Sequence, residues 1–196
     1  MSVDLSALPI ASAVPSLLEF GGVLTPSLGG PSQRVDRLGN RWSWQFETPR
    51  MLMETEGRRF AALLTMAKIE GALIAVPQPN FDPIAPGNPT VATVALSGRS
   101  VAIEGMTPNH PIRLGQWVSI VRAGQRYLDM VAADTFSAPD GTATLSLANL
   151  LRVPLSVGDA VELGRPMLEG SITGVLSWPL EHERTTSFSI TIEEDA

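Results

Sequence analysis

The stretch from Ser97 to Pro166 consists of short apolar runs that are separated by tight-turn dipeptides. Two runs of strand length flank Ala123-Gly124, and further runs follow Asp140-Gly141 and Gly158-Asp159. Glycine and aspartate in such places favour the backbone conformations of tight turns. Short strands joined by tight turns pair mainly with their neighbours. The pattern therefore predicts a small antiparallel barrel, OB-like or split, or a sandwich.

Glycine and proline are spread along the whole chain, which supports a mainly β protein. The 17 glycines and 16 prolines lie between apolar runs rather than in one block. Hydrophobic residues make up 44% of the sequence and charged residues 17%, which predicts a buried core rather than disorder. A chain of 196 residues can form one large domain or a small domain that carries a second one.

Charge and cysteine content narrow the classes of function. The net charge of −6 argues against nucleic-acid binding, which normally needs a basic face. The chain has no cysteine, so disulfides, thiolate metal sites and cysteine nucleophiles are excluded, and assembly in a reducing cytoplasm is expected. We also expect no signal peptide and no membrane span, because the chain has no uncharged apolar run of about eighteen residues.

The first 33 residues are poor in charge and are interrupted by four prolines and two glycine pairs. We treat 1–33 as an N-terminal arm with two alternative placements. It can form a peripheral strand or loop that packs on its own domain. It can instead pack on a neighbouring subunit and become ordered there.

The segment Arg41–Glu47 has the alternation of a half-buried strand. Its aromatic residues share one side: Trp42, Trp44 and Phe46. A core face is the favoured interpretation, and a carbohydrate-binding platform is the alternative. Thr48-Pro49 should end the strand, because proline cannot donate to the ladder.

One amphipathic helix is predicted at about residues 55–69. Its apolar stripe has helical spacing and comprises Phe60, Leu63, Leu64 and Ala67. Thr55 is the expected N-cap, and Gly71 is expected to stop the helix. The basic residues of the segment are expected on its solvated face: Arg58, Arg59 and Lys68.

Two further strands and a surface crossing follow from local composition. Ala72–Val76 is a continuous apolar run, expected to be a strand buried on both sides. Pro77–Pro89 contains five prolines, which predicts an extended surface crossing rather than a helix or central strand. Thr90–Leu96 then returns to strand. Near the end, Ser187–Ile192 alternates, and the acidic residues 193–195 are expected to face solvent.

No motif for catalysis, a metal or a cofactor stands out, so we predict none of these sites. His110 lies in a turn-forming context, where an exposed or capping role is favoured. His182 lacks the second histidine of a zincin helix. Asp134 and Asp140 flank a turn, where aspartate commonly caps the backbone.

Two aromatic residues of the barrel are the candidate ligand contacts. Trp117 and Tyr127 could bind carbohydrate at a host surface, and this is the alternative function of the chain. The arginines of the same region are spread along the sequence, so specific nucleic-acid binding is not expected. A hydrolase with a pair of acidic residues is a further alternative.

The order of elements resembles that of a known family of viral proteins. A strand–helix–strand unit leads through a proline-rich crossing into a barrel that contains Leu114–Ile120, Arg126–Leu128, Asp140–Leu145 and Gly158–Glu162. This pattern resembles minor tail proteins of distal-tail (tail-tip hub) type from long, non-contractile-tailed bacteriophages and prophages. The resemblance covers roughly residues 20–192.

The resemblance implies a structural virion protein rather than an enzyme. In such proteins the first domain forms a ring, commonly hexameric, that joins the tail tube to the tip or baseplate. For this chain, residues 34–96 plus 167–196 would form the ring domain, and residues 97–166 an inserted barrel on its outside. The implied partners are further copies of the chain and other tail proteins. The implied location is the virion tail tip, after assembly in the bacterial cytoplasm.

Overall fold

A computed structural model describes residues 2–79 and 85–195 and is mainly β, with one α-helix, α1 (Arg58–Glu70). The first nine strands are β1 (Val3–Asp4), β2 (Ser12–Leu18), β3 (Gly22–Leu24), β4 (Gln33–Val35), β5 (Arg41–Glu47), β6 (Met51–Leu52), β7 (Ala72–Ala75), β8 (Gly87–Val91) and β9 (Ser100–Met106). The remaining strands are β10 (Pro111–Ile112), β11 (Trp117–Arg122), β12 (Gln125–Met130), β13 (Thr135–Phe136), β14 (Ala143–Ser146), β15 (Ala160–Glu162), β16 (Met167–Thr173), β17 (Thr185–Thr186) and β18 (Ser189–Glu194).

The first sheet joins strands from both ends of the chain in the order β1-β7-β16-β18-β5-β2. β1 runs parallel to β7, and the other neighbours are antiparallel. Ile172 lies opposite Ile192, which lies opposite Trp44 on the next strand. Strands that are more than a hundred residues apart in sequence are therefore direct neighbours.

Buried and more exposed residues alternate along β5 and β18, because only one face of the first sheet is covered. Trp42, Trp44 and Phe46 are buried, and the residues between them are half-buried or exposed. Ile190 and Ile192 are buried on the same face of β18. The predicted strand at 41–47 is confirmed, and its aromatic residues form a core face rather than a carbohydrate platform.

The predicted helix is present, but it begins differently from the expectation. A π-helical turn, Met53–Gly57, precedes α1. Thr55 lies inside that turn, so the N-cap assignment was wrong, and Leu52 precedes the turn without a side-chain cap. Gly71 ends the helix with a φ of 98°, a conformation that favours glycine.

One side of α1 packs on the first sheet. The buried residues of the helix are Phe60, Ala61, Leu64 and Ala67. Lys68, expected on a solvated face, donates to the carbonyl oxygens of Ile172 (2.5 Å) and Gly174 (2.8 Å). Its ammonium group therefore holds the end of the helix against the last residues of β16.

The second sheet is antiparallel and curls into a half-barrel with the order β12-β11-β15-β8-β9-β14. The two outer strands, β12 and β14, approach each other just past their last residues, where an isolated bridge pairs Val131 with Leu147. The concave side holds its own apolar core, which includes Val101, Ile103, Ile120 and Leu145. The tight turn Ala123-Gly124 between β11 and β12 has positive φ at both residues, 52° and 84°.

The proline-rich segment 77–89 contains a strand where a crossing was expected. Residues 80–84 of this segment lie outside the described residues. β8 lies between β15 and β9, so its sequence does form an interior strand and ends at Val91. Pro89 is tolerated because the register of β8 shifts between Gly87 and Thr90, which frees that position from the ladder.

The N-terminal residues occupy both edges of the first sheet. β1 pairs with β7, and β2 pairs with β5 over seven residues. For residues 3–18 this matches the first of the two alternatives, a peripheral strand on its own domain. The segment after β2 leaves the sheet and forms a separate two-stranded hairpin from β3 and β4.

Candidate assembly surface

Residues 20–38, which we call the N-terminal hairpin, present apolar side chains to solvent. β3 is exposed at every position, and β4 at two of its three. Val23 and Leu24 are each 61% exposed, and Leu28 at the tip is 97% exposed. An isolated two-stranded ribbon is marginally stable in water, so a ribbon with bare faces gains stability from a partner.

Exposed apolar side chains also lie on the edge strand β2, where Val14 and Leu17 lie on opposite faces of the strand. The large exposed hydrophobic residues of this region are Val14, Leu17, Phe20, Val23, Leu24, Leu28 and Leu38. Seven such side chains lie within 25 residues of sequence, a concentration of exposed apolar groups that favours an interaction surface. A stable interface needs about 800 Å² from each partner.

Polar contacts fix the base of the N-terminal hairpin. The side-chain oxygen of Asn40 accepts the backbone N–H of Phe20 at 2.9 Å. Arg34 of the hairpin pairs with Glu19, the residue just before it, at 2.6 Å. Arg99, the residue just before β9, pairs with Asp36 at 2.9 Å. The hairpin is thus held in one orientation, with its uncharged residues 20–33 forming the outer part.

The open edge of β2 is interrupted by Pro15. Pro15 lies opposite Trp44 in the register. The backbone N–H of Trp42 points away from β2, towards Glu194. Because the hydrogen-bonding direction alternates along a strand, Trp44 also directs its backbone N–H and C=O away from β2. Pro15, opposite Trp44, therefore lies at a position without a ladder hydrogen bond to β5. An edge strand with proline on its free side resists pairing with another strand. Association through this edge would therefore rely on side-chain packing.

The two sheets meet around a cluster of tryptophans. The ring of Trp117, on β11, lies edge-on to Trp42 with centroids 4.7 Å apart, and to Trp44 at 4.9 Å. Leu128 of β12 belongs to the same buried cluster. Edge-to-face pairs add to the stabilisation that burial of the rings provides.

Glu194 links three parts of the chain, although it was expected to lie in an exposed acidic tail. Its side chain is only 1% exposed. The carboxylate accepts N–H groups from Trp42 (3.1 Å) and Leu128 (2.6 Å) and pairs with the guanidinium of Arg152. Burial raises its pKa, while Arg152 and the two N–H groups act against that rise.

A second buried carboxylate lies nearby on β12. Asp129 accepts the side-chain amide of Asn149 at 2.9 Å and the backbone N–H of the same residue at 3.2 Å. Burial raises the pKa of Asp129, and hydrogen bonds together with the charge of Arg152 lower it in part. Asn40 donates to Asn149 at 3.4 Å, so this network also reaches the start of β5.

The two candidate ligand contacts from the sequence have different environments. Trp117 is only 7% exposed, so it does not present a ring face to a sugar in this structure. Burial against two tryptophans of the first sheet is the physical reason. Tyr127 is half-buried beneath the guanidinium of Arg152, which lies 5.1 Å from the ring centre.

The arginines of the half-barrel are engaged with acidic or aromatic side chains. Arg126 contacts Glu162 at 3.1 Å, and Arg122 contacts Asp159 at 3.5 Å. Arg113 lies over the ring of Phe136 at 5.7 Å. Each of these three arginines is therefore engaged with a side chain of its own chain.

The histidines and the turn aspartates occupy different environments. His182 is exposed. His110, expected to be exposed or to cap the backbone, is buried, its Nε2 has no hydrogen-bond partner in the described residues, and burial lowers its pKa. Asp140 accepts the backbone N–H of Thr142 at 3.0 Å, as expected for a turn cap. Among residues 2–79 and 85–195 there is no cluster of three metal-ligating side chains. The helix in the described part of the chain is too short to cross a membrane.

The buried ionic contact was not predicted from the sequence, although the sequence contains one signal for it. Phe188, Ile190 and Ile192 share the buried face of the last strand. Extending that period of two by one step places Glu194 on the same face. Nothing in the local sequence indicated Arg152 as its partner, because the two residues meet only through the packing of the two sheets.

A scan against protein-family models finds no match, and no curated protein matches this sequence. The resemblance to distal tail proteins therefore stays a prediction that rests on the order of elements.

Proposed function

We propose that this chain is a structural subunit of a phage tail tip that forms a homo-oligomeric ring, hexameric by the family resemblance, between the tail tube and the tip or baseplate. The observation that carries the proposal is the N-terminal hairpin, which holds apolar side chains away from the body of the chain. Such a surface serves association rather than catalysis.

In this proposal the first sheet and its helix form the ring, and the half-barrel is an inserted, OB-like or split barrel on the outside. The outer face of the first sheet supports such a role. It carries Gln45, Glu47, Thr191 and Glu193, with Arg41 beside them. A polar face with more acidic than basic groups would not retain DNA that passes through a ring.

The proposal is tested by the mass and shape of the purified protein. Light scattering at increasing concentration should show a species of about six times the 20.9 kDa chain mass, and negative-stain images should show rings. Val23→Asp combined with Leu24→Asp should shift the protein to monomers, because charges would replace the apolar surface. Val94→Asp, an equally exposed valine that precedes the half-barrel strands β9–β15, is the matched control.

Strict monomers at high concentration, also in the presence of tail tube and tip proteins, would rule the proposal out. If the Val23→Asp, Leu24→Asp variant assembles at the same concentration as the wild type, the hairpin is not the surface through which the chain assembles.

A further inference from the structure

His110 is a buried titratable side chain that the proposed assembly role does not use. It lies in the turn between β9 and β10 and is only 4% exposed. Its Nε2 is buried and has no hydrogen-bond partner among the described residues. A protonated imidazole carries an N–H on both of its ring nitrogens. Protonation would therefore place a charge and a new donor where the fold offers Nε2 no acceptor.

The charged side chains around this turn do not compensate for the burial of His110. Burial lowers the pKa of His110, and among the described residues no charge adds to that effect or opposes it. The charged residues on the neighbouring segments are all exposed to solvent: Glu104 on β9, Arg113 after β10, Asp134 before β13 and Asp140 after β13. The imidazole is therefore surrounded by groups that favour its neutral form.

The backbone of His110 is held by one serine. The N–H of His110 donates to Oγ of Ser137 at 2.7 Å, and the N–H of Ser137 donates to the carbonyl of His110 at 3.0 Å. The hydroxyl of Ser137 donates in turn to the carbonyl of Thr107 at 2.6 Å. Asn109, in the same turn, has a φ of 56°, which is uncommon for a residue with a Cβ. A few local contacts thus hold a strained turn in place.

The ribbon that adjoins this turn is short. β10 and β13 pair over two residues only, outside the six-stranded sheet of the half-barrel. Two-stranded ribbons are marginally stable, and elements with few contacts open locally at a low free energy. Ile112 of β10 is fully buried in the core of the half-barrel. Opening of the ribbon would therefore expose apolar surface at this end of the core.

We propose that His110 makes the β10–β13 ribbon a pH-sensitive device, closed at neutral pH and opened by acid. In the closed ribbon the imidazole is neutral, and in the open ribbon it reaches water and binds a proton. The unfolded pKa of histidine is about 6.5, so the stabilisation of the closed form is complete above that value and is lost as the pH falls below it. This inference does not depend on the proposed ring.

Amide exchange at about pH 7.5 and about pH 5 tests the device. The protection factors of the His110 and Ser137 amides, which correct for the intrinsic effect of pH, should fall at least about threefold at the lower pH. Both amides should also exchange faster than those of β11 at either pH, because the ribbon opens without the sheet. Protection factors that are equal at the two pH values would overturn the proposal.

The two histidines of the chain offer a matched pair of variants. His110→Gln removes the titrating ring and should abolish the fall in protection. His182→Gln makes the same change at an exposed position and should retain it. A fall in protection that persists in His110→Gln, or that disappears in His182→Gln, would show that another group is responsible.

A second measurement needs no variant and so does not depend on the folding of His110→Gln. Backbone amide shifts of the wild type are followed by NMR from about pH 8 to about pH 5. Changes between about pH 6.5 and pH 5 should be concentrated in residues 107–113 and 135–138. Changes of equal size throughout β5 and β11 would show that acid acts on the whole fold, and would overturn a local device.

Discussion

At the scale of single residues, the contact between Glu194 and Arg152 is the most consequential. The carboxylate belongs to the last strand of the first sheet, and the arginine lies on the segment between β14 and β15 of the half-barrel. Both side chains are largely buried, so each depends on the other for compensation of its lost hydration. The pair therefore fixes how the two sheets sit on each other.

Glu194→Gln should lower the free energy of unfolding by about 3 kcal/mol, because it leaves the buried guanidinium of Arg152 without a counter-charge. Urea denaturation measures the effect. Glu193→Gln is the matched control, and its loss should stay below about 0.5 kcal/mol because this neighbour is only half-buried. Equal losses of unfolding free energy in the two variants would contradict the role of Glu194 as the counter-charge of Arg152.

Asp129 predicts a pH dependence whose sign is opposite to that of most carboxylates. Burial raises its pKa above the unfolded value of about 4. Its contribution to stability is complete below that value and is lost as the pH rises through the folded-state pKa. The unfolding free energy of wild type minus that of Asp129→Asn should therefore fall as the pH rises above about 4.

Asp140→Asn is the control for this titration. Hydrogen bonds from Thr142 lower the pKa of Asp140, so its contribution is present above the unfolded value and is lost as the pH falls. The corresponding difference should stay level above about pH 4 and fall as the pH drops below that value. Parallel slopes for the two variants, from denaturation curves at each pH, would refute the assigned directions.

At the scale of elements, the turn between β11 and β12 has a strained backbone conformation at Ala123. Ala123 has a φ of 52° and Gly124 a φ of 84°, as two-residue hairpin turns require. Glycine and asparagine tolerate such angles, whereas alanine is strained there. The hairpin nevertheless forms, because six residue pairs of β11 and β12 are in register beside it.

Ala123→Asn should raise the unfolding free energy by about 0.5–1 kcal/mol, because asparagine reaches the left-handed region more easily than alanine. Thermal denaturation measures the gain. Ala123→Val should be destabilising at the same exposed position, since a β-branched side chain resists positive φ. A loss of stability in the asparagine variant would show that the turn angle is not the limiting strain.

At the scale of the whole molecule, the two sheets share a core. Trp117 and Leu128 of the half-barrel belong to the buried cluster of the first sheet. The interface also contains the ionic contact of Glu194 and the hydrogen bonds of Asp129. Such continuity predicts that the two sheets unfold together.

Trp117→Ala should lower the unfolding free energy by about 3–5 kcal/mol, because it opens a cavity between the sheets. Amide exchange should become faster in β5 and in β9 alike, with a single unfolding transition. Faster exchange confined to the half-barrel would contradict a shared core. The same variant would be unsuitable as a test of sugar binding, since its main effect is on packing.

The sequence by itself determined the local elements whose signals lie within a few residues. The alternation at 41–47 predicted β5, the apolar stripe predicted the helix, and the glycine at position 71 marked its end. These predictions succeed because the periodicity of side chains and the φ preference of single residues depend only on neighbours within a few positions of sequence. Pro89 misled the local argument, since a bulge accommodates it within an interior strand.

Only the tertiary structure decided which surfaces are covered. Trp117 and Glu194 are buried because the half-barrel packs on the first sheet, and Leu28 is exposed because nothing in the described part of the chain covers it. Periodicity shows which residues share a face, but not what lies against that face. For Glu194, that answer depends on contacts with residues 42 to 152 positions away, which no local pattern encodes.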